Sequence, residues 1–223
     1  MEGMDIGYVI RLIVAGAIPV LFAITLHEVA HGWVANKLGD STAKMLGRLT
    51  INPLKHIDPI GTVALPLGML LMSMLTVGQP FAFGWAKPIP VNTRNLSHPR
   101  RDMAIVAVAG PLANLLMALF WVLMIPVFLT VIPDANIADG FVTMAQIGLV
   151  FNLVLLVLNL LPLPPLDGGR VLAGLVPRNV ADVLDKIEPY GFPILIVLLL
   201  LGVLDQIIGP IIGTLYRLLT TII

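Results

Sequence analysis

Segments 7–36, 102–132, 141–161 and 192–213 each stay apolar for about the 20 residues that a helix needs to cross a bilayer. Such a chain has few options. Inside lipid every backbone N–H and C=O must find an internal partner, which leaves helices or a closed barrel. Long unbroken runs, rather than alternating short ones, select helices. The expected fold is an all-α polytopic membrane protein, a bundle of about 4–6 transmembrane helices. With 58% hydrophobic and 12% charged residues, almost nothing is left for a soluble domain, so residues 1–223 form one unit. The first run is too long, and opens with too few cations, to be a cleaved signal peptide. A net charge of zero gives no reason to expect a nucleic-acid partner. The absence of cysteine excludes disulfides and thiolate metal sites.

The punctuation between the runs is informative. Helix 7–36, with Pro19 inside, stops at "NKLGD", where Gly39 is the terminator. Residues 37–59 are basic, and 60–77 are apolar again. Residues 78–101 are rich in Gly and Pro, and "KPIPV" favours extended backbone. Segment 133–140 is an acidic turn. Residues 164–191 are polar and amphipathic, 192–213 form the last apolar helix, and 214–223 a tail. Basic loops mark the cytoplasmic side. That rule sends 7–36 inward, 102–132 outward and 141–161 inward. A full crossing by 60–77 would break the count. The segment is therefore expected to dip in, with 78–92 returning as an extended, re-entrant stretch; a full span with an imperfect charge rule is the alternative. Non-helical backbone at that depth needs protein or a water-filled cavity around it.

Into the first apolar run the chain inserts "HEVAH". Residues four apart share a helix face, so His27 and His31 can address one ion. Glu28 can reach a water on that ion, the arrangement of two zinc ligands and a general base. The plainer alternative is a helix end exposed to water. Ionisable groups at mid-membrane cost about 2.5–3.5 kcal/mol each, which argues for function. A catalytic zinc takes three protein ligands, and the third must here be His, Asp or Glu. His56 and His98 read as solvated loop histidines. Asp58 and Glu188 read as turn residues, and Asp205 as a residue near an outer interface or bonded to a neighbouring helix. Asp167 follows a helix running the same way as the first and arrives at similar depth. On its own it could equally cap the short helix "GRVLAGLV". It ends "NLLPLPPLDGG", where three prolines stop the helix and Gly168 and Gly169 permit close backbone approach.

Together, "HEVAH" and "NLLPLPPLDG" resemble the signature pair of the site-2 protease family of intramembrane zinc metalloproteases, in its compact prokaryotic form. Asn159, Pro162, Pro164, Leu166, Asp167 and Gly168 match the family's second motif at each fixed position. "AGPLANLL" and "GWAKPIPVN" are similar to its central helix and membrane-associated strand. The resemblance covers about residues 7–176, and no segment resembles a PDZ or CBS domain. It implies one catalytic zinc held by His27, His31 and Asp167, with Glu28 as base. It implies that Asn159, Pro162, Pro164 and Asn114 meet the substrate, and that 85–92 pairs with it as an added strand. It also implies that the substrate is a transmembrane segment of another protein, cut within the cell membrane. The competing classes are an ion or metal transporter and a non-catalytic membrane binder. The missing inverted repeat disfavours the first, and the intact "HEVAH" disfavours the second.

Overall fold

The computed structural model describes residues 6–76, 84 and 87–223. Among the described residues eight α-helices follow one another. These are α1 (Ile6–Lys37), α2 (Thr42–Met45), α3 (Leu65–Thr76), α4 (Pro99–Val131), α5 (Ala135–Asn159), α6 (Asp167–Leu175), α7 (Arg178–Leu200) and α8 (Val203–Thr220). Among the described residues there is no β-strand. Helices α1, α4 and α5 are long and apolar enough to cross a membrane, and α7 with α8 makes a fourth span if that bent pair counts as one. Among the described residues that makes three or four spans, at or just below the expected 4–6.

Two regions explain why. Among the described residues, which here stop at residue 76, Leu65–Thr76 is 12 residues of α-helix, or about 18 Å, against a hydrocarbon core of about 30 Å. A π-helical turn, Pro59–Ala64, precedes it, capped by Asp58, whose Oδ1 accepts from the Ile60 and Gly61 amides. Asp58 is thus a turn residue, as its position before proline suggests. At the other end, 192–213 is not one helix. Gly202 takes φ +69°, a left-handed conformation that suits glycine, and the chain bends by 81° between α7 and α8. Glu188 lies inside α7 rather than in a turn. Asp205 sits exposed in the first turn of α8, where a carboxylate complements the helix dipole.

The centre is built by α4 and α5, joined through Ile132–Asp134, with α1 packed against both. Asp134 caps α5 by accepting from the Asn136 and Ile137 amides. One apolar cluster joins Ala118, Trp121 and Val122 of α4 to Ala145, Leu149, Leu153 and Leu156 of α5, and α8 covers it with Ile212, Leu215 and Leu219. Outward faces keep Val14, Leu116, Phe120 and Val150 exposed, as lipid-facing surfaces require.

Residues 78–83, 85 and 86 lie outside the described residues, so the expected return strand is seen only at 87–92, without regular secondary structure. The His56 carbonyl accepts the Lys87 amide at 3.0 Å, and Arg48 donates to the Lys87 carbonyl at 2.8 Å. Asp40, just past α1, accepts from the Asn92 amide at 2.7 Å and the Asn95 side chain at 2.8 Å. His56 is buried, not solvated, and its Nε2 meets the Thr50 carbonyl at 2.8 Å. His98 is exposed at the start of α4.

Candidate metal centre

His27 and His31 lie in the last third of α1, on the face turned to α4, and Asp167 opens α6. Their side chains converge. His27 Nε2 and His31 Nε2 are 3.0 Å apart, and each is 3.2 Å from Asp167 Oδ2. All three residues are 8–9% exposed.

Local structure explains the convergence. The Pro-rich turn after α5 is so tight that a Cβ on Gly169 would lie 2.7 Å from the Leu163 carbonyl carbon. Gly168 likewise faces the backbone of Leu160 and Leu161. These two glycines let α6 start against the end of α5, and Asp167 is swung back toward α1 rather than used as a cap. No cap hydrogen bond is formed by its neighbour Leu166 at that helix start.

The protonation pattern follows from the partners. His31 Nδ1 is 2.7 Å from the Val106 carbonyl, which can only accept, so Nδ1 carries the hydrogen. His27 Nδ1 is 2.6 Å from Asn114 Oδ1, which also only accepts. A neutral imidazole has one N–H, so both Nε2 atoms present bare lone pairs. Asp167 Oδ2 is buried and has no hydrogen-bond partner. Three acceptors therefore face one another with no hydrogen between them, an arrangement that a cation relieves. A tetrahedral zinc with ligands at about 2.0–2.2 Å separates its donors by about 3.3–3.5 Å, close to the spacing found. The three residues are a group able to hold a metal ion, and their chemistry, two imidazoles and a carboxylate, suits zinc with one position open.

Glu28 stands beside this triangle. Its Oε2 accepts the Ile89 amide at 2.6 Å, and the Ile89 side chain packs on Gly32, where a Cβ would meet it at 3.1 Å. A cleft of about 170 Å³ opens over the group. His27, Glu28, His31 and Asp167 line it together with Pro88, Ile89, Asn159, Pro165 and Arg170. Arg170 also reaches Glu188 of α7 at 3.4 Å.

Of the residues expected at the substrate, Asn159 reaches the cleft, its Nδ2 also donating to the Leu155 carbonyl. Asn114 is fully buried between α1, α4 and α5 and faces His27 instead of the cleft wall. Pro162 is exposed and Pro164 buried, and the proline lining the cleft is Pro165. Four participants carried no assignment from sequence. Gly110 passes so close to the rings that a Cβ would collide with His31 Nε2 and lie 2.6 Å from His27 Cε1. A glycine inside an apolar helix is the signal for such an approach. Asn152, a carboxamide within "VFNLVLLVL", signals a buried polar contact. The Val106 carbonyl and Ile89 amide are backbone groups and leave no trace in residue identity.

Comparison with known proteins gives the family of the chain. A family model described as peptidase family M50 matches residues 123–202, a span that includes Asn159 and Asp167. A Bacillus subtilis (strain 168) protein named "Putative zinc metalloprotease YwhC" is 40% identical over 195 residues, covering 86% of this chain and 83% of that protein. "Putative zinc metalloprotease Rip2" of Mycolicibacterium smegmatis is 31% identical over 195 residues, 87% of this chain and 69% of its own length. Its namesake in Mycobacterium tuberculosis (strain H37Rv) is 30% identical over 189 residues, 83% of this chain and 66% of its own. No solved structure matches the chain.

Proposed function

The chain belongs to peptidase family M50, the site-2 protease family of metalloproteases, and on that premise we propose that it is a zinc-dependent endopeptidase acting within the membrane. Its substrate is a transmembrane or membrane-proximal segment of another membrane protein. The observation that carries this reading is the buried triangle of His27, His31 and Asp167 with Glu28 at its side, set among helices long enough to span a bilayer.

His27, His31 and Asp167 hold the ion. When bound, zinc polarises the scissile carbonyl and brings the pKa of the attacking water down toward about 7. Glu28 is the base. The Ile89 amide occupies Oε2 and fixes the carboxylate, which leaves Oε1 to take a proton from the attacking water and pass it to the leaving nitrogen. Asn159, half-buried at the cleft, orients substrate backbone. Segment 87–92 lies along the same cleft and offers an extended edge to a substrate strand. A helical substrate keeps its amides in its own ladder, so it must unwind locally before it can pair there.

Glu28→Gln tests the assignment, since it keeps shape and removes the proton acceptor. The variant should retain zinc at the wild-type level, still capture membrane substrate, and lose cleavage by at least about 100-fold. Metal content and cleavage measured on the same purified samples check this. Near-normal turnover would remove Glu28 from the mechanism.

A further inference from the structure

A chain of side-chain amides runs away from the metal centre into the bundle. Asn114 Nδ2 donates to Asn152 Oδ1 at 2.9 Å and to the Ala23 carbonyl at 3.3 Å. Asn152 Nδ2 donates in turn to the Gly148 carbonyl at 2.8 Å. Both carboxamides are 0% exposed. Asn152 touches neither the three metal donors nor the cleft.

The direction of this chain is fixed from its far end. A backbone carbonyl can only accept, so Gly148 requires the NH₂ of Asn152 to face it. Asn152 must then present Oδ1 to Asn114. That oxygen and the Ala23 carbonyl both require the NH₂ of Asn114, which turns Asn114 Oδ1 toward His27. An amide oxygen cannot donate, so His27 must carry its hydrogen on Nδ1 and expose a bare Nε2 to the metal side. Reversing either carboxamide would set donor against donor and acceptor against acceptor where both side chains are fully buried.

Resting on the zinc reading above, we infer that Asn152 is a positioning residue for the metal centre, selecting through Asn114 the tautomer of His27 that can bind an ion. A hydrogen bond that merely joined α4 to α5 would need no particular orientation. This one is oriented by Gly148 at one end and read by a ligand at the other. His31 supplies an internal control, because its Nδ1 is held by the Val106 carbonyl, which cannot be reversed.

The test uses the full chain in detergent, metal-free, with ¹⁵N-labelled histidine, at a pH where the rings are neutral. Wild-type His27 and His31 should both show the Nδ1–H form. Asn152→Leu removes the nearer of the two acceptors that hold the Asn114 NH₂ and leaves the longer bond to the Ala23 carbonyl, so a fraction of His27 should take the Nε2–H form while His31 does not change. Zinc affinity, measured by chelator competition, should weaken by about 10–100-fold, as for loss of an outer hydrogen-bond partner of a ligating histidine. Asn152→Ser is the gentler variant. Its hydroxyl can satisfy the Gly148 carbonyl but is too short to reach Asn114, so the same two shifts are expected. Leu153→Ala, a neighbouring core truncation, should lower thermal stability and leave both readouts alone. Wild-type tautomer and zinc affinity in both Asn152 variants would overturn the inference. Failure of the wild-type protein itself to take up zinc would instead overturn the proposed function, and the ring tautomers would still decide the role of Asn152.

Discussion

Asn152 and Leu153 are adjacent on α5, yet they belong to clusters of opposite kind. Leu153 joins Leu149, Leu156, Trp121 and Val122 in an apolar core under α8. Asn152 joins Asn114 and His27 in a polar chain leading to the metal donors. Both clusters are buried, and both use α4 and α5. The apolar one is held by non-directional burial and packing, so what matters there is filled volume. The polar one is held by oriented donors and acceptors, each of which fixes the next. A membrane bundle can thus carry a catalytic centre between the same helices that supply its stability, provided every polar group in it is matched.

The sharpest way to break this contrast is to add one methyl group on the polar side. Gly110→Ala puts a Cβ into contact with both imidazoles, whose Nδ1 atoms are tethered and whose Nε2 atoms would meet the proposed ion. We expect loss of stoichiometric zinc and of cleavage, with helical content by circular dichroism unchanged. Normal zinc and activity would mean that α4 yields there, and that the centre is less rigidly matched than its hydrogen bonds indicate. Removing atoms on the apolar side should do the reverse. Leu153→Ala should cost about 2–5 kcal/mol of stability through lost burial and a residual cavity. It should lower the thermal midpoint of unfolding in detergent and leave cleavage per folded molecule unchanged. A comparable fall in both quantities would merge the two clusters into one functional unit.

What could be read from the sequence divides along the same line. That His27, Glu28, His31 and Asp167 meet at one cleft was legible because side-chain chemistry at fixed spacing is written in residue identity. The long helices were legible because length and apolarity are written there too. The break at Gly202 was not, since one glycine in "LLLLGVLD" does not announce a left-handed turn inside an otherwise continuous apolar run. The burial of His56 was not legible either, because it depends on how two loops stack across the Lys87 amide and Thr50 carbonyl. The contacts that tune the centre, from the Val106 carbonyl to His31 and from the Ile89 amide to Glu28, use groups that every residue but proline possesses. Asn114 was visible as an important carboxamide. Its direction, toward His27 and not the cleft, is set by Asn152 and Ala23, and no pattern in the chain encodes that choice.

The central claim is that Asp167 completes a three-donor zinc site with His27 and His31. Metal analysis of the purified full chain, wild type against Asp167→Ala, tests it most directly. The account predicts about one zinc per chain in the wild type, and zinc well below stoichiometric in the variant with cleavage abolished. Full zinc and full activity in Asp167→Ala would place the third ligand elsewhere and contradict the assignment built on the triangle.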